Sequence, residues 1–173
     1  MHVTVTAGHG GTDPGNTWNG HHEAKLMMQL RHILAAKLRS EGHIVREDGG
    51  RGENWALSDA MRLIAGSTVA LELHTNASTN QSATGVEVVS LPEHRELSQR
   101  VAHAIGSVLN IPTRRDKGWF PHAQCAAERG FEPGFSKRGG LIVEVFFQSN
   151  PEDLRKYLER YWLVASAIAR AIQ

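Results

Sequence analysis

Residues that can bind a metal or transfer a proton lie at predicted strand ends and at a predicted helix start. His9 follows the first predicted strand within a glycine-rich loop, and His74 stands at the carboxyl end of a later strand. Glu144 lies inside a run of Leu, Ile, Val and Phe, and Glu23 begins the first long helix. Because open α/β sheets gather ligands beyond the carboxyl ends of their strands, we expect His9, His74 and Glu144 at one end of the sheet.

The chemistry of this set is that of a hydrolytic metal site. Two imidazoles and one carboxylate are the ligands of a catalytic zinc that keeps one position for water. A second carboxylate close by can then act as general base. Glu144 suits such a role because an unpaired charge inside an apolar strand is costly. Its carboxyl group must therefore be paired, linked to a metal or protonated.

The same residues allow other interpretations at this point. Glu23 in the first turn of a helix can simply complement the helix dipole, and His22 can replace it as a ligand. His74 can be a hydrogen-bonded core histidine. The loop that holds His9 does not match a phosphate-binding motif, because Asp13 stands where the last glycine of GxGxxG is required and no Walker lysine follows.

Hydrophobic periodicity places these residues on strands that alternate with helices, which indicates an α/β domain. In the strand that ends at His74, Glu72 shares a face with that histidine, whereas Leu71 and Leu73 lie on the other face. The apolar run at 141–147 is typical of a central strand buried on both faces. Strands are predicted at 3–6, 43–45, 68–74, 85–90 and 141–147, and helices from 23 to the glycine at 42, at 55–65, within 92–110 and from 151 onward.

The segment 111–140 is rich in glycine and proline and shows no clear period, so we predict a long loop or short elements there. Cys125 is expected to be a free surface cysteine. Arg114, Arg115 and Lys117 form a basic cluster that is expected to be solvated, although it could also contact carboxylates of a substrate. His122 is expected in an exposed loop, where it could also contact a substrate.

Composition excludes several classes of protein. Nineteen basic and eighteen acidic residues give a net charge of +1, which argues against nucleic acid as a partner. Cys125 is the single cysteine, so the chain forms no internal disulfide. No apolar run approaches the roughly 20 residues of a membrane span, and the first residues do not resemble a secretory signal. We expect one domain over residues 1–173, no membrane insertion and no separate substrate-binding domain; the oligomeric state is left open.

The order and spacing of these residues resemble a known family. The motif His9-Gly10-Gly11-x-Asp13-Pro14-Gly15, then Glu23 at a helix start, His74-x-Asn76, and Glu144 followed by Ser149-Asn150 are similar to the zinc-dependent N-acetylmuramoyl-L-alanine amidases of family 3. These enzymes are peptidoglycan hydrolases of bacteria and their phages. The resemblance spans nearly the whole chain.

The resemblance implies a fold, a reaction and a set of site residues. The fold is a twisted, mostly parallel sheet with helices on both faces. His9, Glu23 and His74 would bind one zinc ion per chain, and Glu144 would act as the general base for the zinc-activated water. The substrate would be peptidoglycan, cleaved at the amide between N-acetylmuramic acid and L-alanine of the stem peptide.

One departure from the family pattern is Glu72, since the family usually has a small polar residue there. We predict that Glu72 supports His74 from behind and is not itself a ligand. Asn76 and His122 are weaker candidates for supporting the site or contacting the substrate.

Two other functions remain as alternatives: a zinc peptidase or deacetylase of other specificity, and a catalytically silent wall-binding module. We further expect a compact, bacteriolytic endolysin, made in the cytoplasm without a signal sequence, released by a separate protein and acting on the cell wall.

Overall fold

The computed structural model describes residues 1–50 and 52–173 and shows a six-stranded sheet flanked by helices. Arg51, within the loop that follows the fourth strand, lies outside the described residues. The strands are β1 (His2–Ala7), β2 (Thr17–Trp18), β3 (His21–His22), β4 (Ile44–Glu47), β5 (Val69–Asn76), β6 (Glu87–Ser90), β7 (Trp119–Pro121) and β8 (Leu141–Phe147).

The described residues also form six α-helices. They are α1 (Glu23–Ser40), α2 (Leu57–Ala60), α3 (Arg95–Leu109), α4 (His122–Arg129), α5 (Gly134–Lys137) and α6 (Pro151–Ala171), with short 3-10 turns at Met61–Ile64 and Pro92–His94. The helix predicted at 55–65 is thus split into α2 and a 3-10 turn. The last helix begins as predicted, because the Asn150 side chain accepts hydrogen bonds from the backbone N–H groups of Glu152 and Asp153.

The main sheet has the strand order β4-β1-β5-β8-β6-β7. Strands β4, β1, β5 and β8 run parallel, β6 runs antiparallel to β8, and β7 runs parallel to β6. β2 and β3 form a separate antiparallel pair. The register of β5 and β8 places His74 directly beside Glu144. The prediction of a mostly parallel α/β sheet is confirmed.

Each face of the sheet has its own core. Alternation along β5 turns Leu71 and Leu73 toward the larger core, which includes residues of α1, α3 and α6, and turns Ala70 toward a smaller core on the opposite face. The smaller core contains Cys125 of α4 and Phe135 of α5. Helices therefore cover both faces, as the resemblance implies.

The segment 111–140 contains more structure than its sequence indicated, because β7, α4 and α5 all lie within it. The surface position expected for Cys125 is wrong, since its side chain is fully buried in the smaller core. The solvated state expected for Arg114 and Arg115 is also wrong, since both guanidinium groups contact the buried carboxylate of Glu87, at 3.0 and 3.3 Å.

Among the described residues, no helix is both long and apolar enough to cross a lipid bilayer.

Candidate metal centre and catalytic cleft

His9, Glu23 and His74 converge at the carboxyl ends of β1 and β5. His9 Nε2 lies 3.1 Å from Glu23 Oε2, and His74 Nδ1 lies 3.1 Å from Glu23 Oε1. The three candidate ligand atoms lie within 4.8 Å of one another. The chain brings them together because β1 and β5 are adjacent parallel strands and α1 begins beside them.

The backbone at the end of β1 passes very close to the second histidine. An added Cβ on Gly8 would lie 2.1 Å from His74 Cε1, so only glycine fits at this position. The next residue, His9, takes a left-handed conformation with φ of 66°, which turns its ring back toward Glu23.

Glu23 is held rigidly although it is almost fully buried. The backbone N–H of Thr75 donates to Oε1 at 2.8 Å, and that of Asn16 donates to Oε2 at 2.9 Å. Burial disfavours its charge, but the hydrogen bonds from His74 and His9 outweigh burial and hold the pKa of Glu23 well below its usual range. Glu23 is therefore a carboxylate, the form that a metal requires.

Each histidine uses its second ring nitrogen for another carboxylate. His9 Nδ1 lies 2.8 Å from Asp13 Oδ2, and His74 Nε2 lies 3.1 Å from Glu72 Oε2. A carboxylate behind a metal-binding histidine fixes the ring orientation and makes the other nitrogen a better ligand. Glu72 lies behind His74, on the side away from Glu23.

The electrostatic field at this point favours positive charge. The hydrogen bond to Glu23 chiefly raises the pKa of His9. Burial lowers the pKa of His74, but its hydrogen bonds to Glu23 and Glu72 outweigh burial and raise that pKa well above the usual value. A divalent cation bound between the two rings would supply the positive charge that these carboxylates favour. Ligand atoms of tetrahedral zinc lie roughly 3.4 Å apart, so the set fits zinc with small adjustments.

Glu144 stands beside this cluster and is buried in β8. Arg129 Nη2 donates to its Oε1 at 2.8 Å, whereas its Oε2 accepts no hydrogen bond from any described residue. Burial raises the pKa of Glu144, while the charges of His74 and Arg129 oppose that rise. Buried polar atoms are normally paired, so Oε2 is available to a small donor such as water.

These groups line one cleft of about 640 Å³, which therefore combines a candidate metal site, a buried carboxylate and an arginine. Its walls also carry apolar side chains, among them Leu57, Phe131 and Phe135.

Comparison with known proteins identifies the family to which this fold belongs. The family model described as N-acetylmuramoyl-L-alanine amidase matches residues 3–173. The chain belongs to the N-acetylmuramoyl-L-alanine amidase family. No curated protein sequence matches the chain.

Solved structures of amidases share the fold. A Neisseria meningitidis protein assigned as an N-acetylmuramoyl-L-alanine amidase is 37% identical, with a TM-score of 0.89 and coverage of 99% of this chain and 93% of that chain. An N-acetylmuramoyl-L-alanine amidase from Clostridium difficile 630 is 22% identical, with a TM-score of 0.78 and coverage of 99% and 94%. The catalytic domain of an endolysin targeting Clostridium difficile is also 22% identical, with a TM-score of 0.73 and coverage of 99% and 96%.

The weaker site candidates of this amidase-family chain differ in whether they line the cleft. Asn76 lines the cleft and donates to Glu87 Oε1 at 2.9 Å. His122 is not in an exposed loop as expected: it begins α4 and packs against Ser136, at 2.9 Å, outside the described lining of the cleft. His22, the alternative ligand, contacts Thr17 Oγ1 at 3.1 Å and is not part of the candidate metal cluster.

Two functional contacts of the amidase were missed by sequence reasoning. Arg129 lies in the segment without a clear period, and nothing near it in the sequence indicates its contact with Glu144. The other contact is a buried brace behind His9, which we call the Arg31 brace: Arg31, Asp48 and Asn54.

The Arg31 brace ties α1 to the loop that carries His9. Arg31 Nη1 donates to Asp48 Oδ1 at 2.8 Å and to Asn54 Oδ1 at 2.9 Å, and the Arg31 side chain is only 1% exposed. Asn54 Nδ2 in turn donates to the backbone oxygen of Ala7 at 3.2 Å and to that of His9. The brace thus fixes the backbone on both sides of Gly8.

Proposed function

We propose that this chain is a zinc-dependent amidase that hydrolyses the bond between the lactyl group of N-acetylmuramic acid and L-alanine of the peptidoglycan stem peptide. Membership of the family supports the reaction class. The observation that carries the residue assignment is the buried Oε2 of Glu144, which has no protein partner among the described residues and belongs to a side chain beside the His9–Glu23–His74 cluster.

His9 Nε2, Glu23 and His74 Nδ1 would hold the metal. Bound there, zinc would lower the pKa of a coordinated water to about 7 and polarise the scissile carbonyl. Asp13 and Glu72 keep the two rings oriented, and the backbone N–H groups of Thr75 and Asn16 keep Glu23 in place.

Glu144 is proposed as the general base. Its Oε2 accepts the proton of the attacking water while Arg129 holds its Oε1. The water oxygen bonds to the lactyl carbonyl carbon, the carbon–nitrogen bond breaks, and Glu144 returns the proton to the nitrogen of L-alanine. Burial favours this cycle, because it raises the pKa of Glu144 and so makes its carboxylate a stronger base than that of an exposed glutamate.

The test compares Glu144→Gln with the parental protein on purified sacculi. The amide is nearly isosteric and Glu144 is not a proposed ligand, so the variant should fold and bind one zinc per chain. It should solubilise sacculi at least about 100-fold more slowly, because a positioned acid–base group contributes about that much or more. Zinc content and turbidity are measured on the same preparation.

Glu93→Gln is the matched control, since Glu93 is an exposed glutamate that is not among the residues described as lining the cleft. Parental rates in Glu144→Gln would refute the assignment of the base. Loss of zinc together with activity would instead make Glu144 a ligand. Product analysis separates the alternatives, because an amidase frees peptides that begin with L-alanine, a peptidase cuts within peptides, a deacetylase releases acetate and a binding module releases nothing.

A bacteriolytic role, as expected for an endolysin made inside the cell, is proposed as a consequence of the same hydrolysis. Protein added to outer-membrane-permeabilised bacteria should lower their turbidity, and Glu144→Gln should not.

A further inference from the structure

The cleft is strongly acidic apart from one side chain. Among the described residues that line it, Arg129 is the sole arginine or lysine. The carboxylates that line it are Asp13, Glu23, Glu72, Glu132 and Glu144. When His9 and His74 are neutral metal ligands, a negatively charged group of a substrate can form an ion pair with the described lining of this cleft only at Arg129 or at the metal.

Arg129 has hydrogen-bonding capacity to spare. It is the last residue of α4, and its side chain is 31% exposed on the cleft. Its guanidinium has five N–H donors, and the structure shows one hydrogen bond from it, to Glu144, with no acceptor for Nε or Nη1 among the described residues. The group can thus hold Glu144 and bind a second carboxylate at once.

Another acid of the cleft, Glu132, is already paired with other residues. Glu132 forms an ion pair with Lys137 and lies 3.6 Å from His122 Nε2. Arg129 forms no ion pair with Glu132 within the described residues, so its charge remains directed at Glu144 and the open cleft.

The stem peptide carries a carboxyl group close to the bond that is cleaved. In the proposed reaction, Glu144 delivers a proton to the L-alanine nitrogen. The second stem residue is a D-glutamate linked through its γ-carboxyl group, so its α-carboxyl group lies one residue further on, at most about 7 Å from that nitrogen. Arg129 bonds Glu144 at 2.8 Å, and a second carboxylate hydrogen-bonded to the same guanidinium at about 2.9 Å would lie within a similar range of Glu144.

We propose that Arg129 binds the α-carboxylate of the second stem residue and makes the enzyme prefer stem peptides in which this group is a free acid over those in which it is a carboxamide. This inference rests on the proposed function. An arginine–carboxylate pair forms two charge-assisted hydrogen bonds, whereas a carboxamide offers one oxygen and no charge. The preference expected from this difference is about 10- to 100-fold.

The experiment uses two soluble substrates that differ only at this group, N-acetylmuramoyl-L-alanyl-D-glutamate and N-acetylmuramoyl-L-alanyl-D-isoglutamine. We expect the zinc-loaded parental protein to show a kcat/KM about 10- to 100-fold higher for the acid. Arg129→Gln should bring the ratio of the two values to within about threefold, and Arg129→Lys should keep part of the preference because it keeps the charge.

The ratio of kcat/KM for the acid to kcat/KM for the amide distinguishes the proposed contact of Arg129 with the substrate from its contact with Glu144. Losing the hydrogen bond to Glu144 slows both substrates alike, so it lowers both kcat/KM values and leaves their ratio unchanged. Arg138→Gln is the matched control, since Arg138 bonds Gly134 and is not among the residues described as lining this cleft. It should keep the parental ratio.

A binding measurement without chemistry separates this inference from the proposed function. Titration calorimetry with L-alanyl-D-glutamate and L-alanyl-D-isoglutamine should show tighter binding of the acid to the parental protein and equal binding to Arg129→Gln. If neither substrate is hydrolysed but this binding preference is intact, the proposed function alone is refuted. Equal kcat/KM values for the two substrates, or a ratio that survives in Arg129→Gln, would overturn the role of Arg129 alone.

Discussion

Replacing Arg31 by methionine should destabilise the protein by about 3–5 kcal/mol at pH 7, a large part of a typical total stability. The pair is fully buried, with Arg31 1% and Asp48 0% exposed. Without the guanidinium, backbone N–H groups such as that of Ala7, at 3.2 Å, still donate to the Asp48 carboxylate, but the described residues leave this buried charge without a cationic partner. The apolar stem of methionine fills most of the space, so the loss arises from this charge and from the acceptors that Arg31 leaves unpaired, which are Asn54 Oδ1 and the backbone oxygens of Gly50 and Glu53.

The pH dependence of this loss is a second, more specific expectation. Burial already raises the pKa of Asp48 to about 6, against an ordinary value of 3.8, despite the opposing charge of Arg31. A raised pKa in the folded state gives stability that is present below the unfolded value and is lost as pH rises through about 6. Removing Arg31 raises this pKa further. The deficit of Arg31→Met should therefore shrink by about 1 kcal/mol between pH 7 and pH 5.

Urea unfolding of metal-free protein at the two pH values measures both effects. Arg31→Met/Asp48→Leu should recover at least half of the loss, because an apolar pair can replace a buried ion pair. Arg62→Met, at a side chain that is 80% exposed, should change stability by less than about 0.5 kcal/mol. A loss below about 1 kcal/mol in Arg31→Met, or a deficit as large at pH 5 as at pH 7, would refute this reasoning.

Three further changes test the metal cluster and the fold around it. Glu72→Gln should weaken zinc binding about 10- to 100-fold, measured by chelator competition, because the support behind His74 becomes neutral; unchanged affinity would contradict that role. Gly8→Ala should lose most zinc affinity in a folded protein, because the new Cβ would lie 2.1 Å from His74 Cε1, whereas Gly50→Ala, on an exposed glycine, should not. Asn150→Ala should cost about 0.5–2 kcal/mol of unfolding free energy by removing the cap of α6, with zinc affinity unchanged.

The sequence by itself determined the elements whose burial pattern repeats over many residues. The apolar run with Glu144 at its centre became β8, with the predicted bounds, and the Asn150 cap began the last helix as predicted. In both cases the signal is local: a strand buried on both faces is continuously apolar, and a helix start requires an acceptor for its free N–H groups. The side chains suited to a metal site could be recognised because they stand on or at the ends of these locally predicted elements.

Only the tertiary structure decided which side chains meet. His9, Glu23 and His74 are up to 65 residues apart in the chain, and the strand order places them within reach of one another. The register between β5 and β8 sets His74 beside Glu144, and a slip of one residue would turn every side chain to the other face. No local pattern carries that information.

The segment 111–140 also shows how little local sequence patterns reveal where the elements are short. β7, α4 and α5 have three to eight residues each, too few for a period to emerge, so neither the burial of Cys125 nor the contact of Arg129 with Glu144 was visible in the sequence. The Arg31 brace likewise joins residues that look like solvated charges on a helix and in a loop. Their burial follows from the packing of α1 against β1 and β4, because a charge enters a core only where its partner is delivered by another part of the chain.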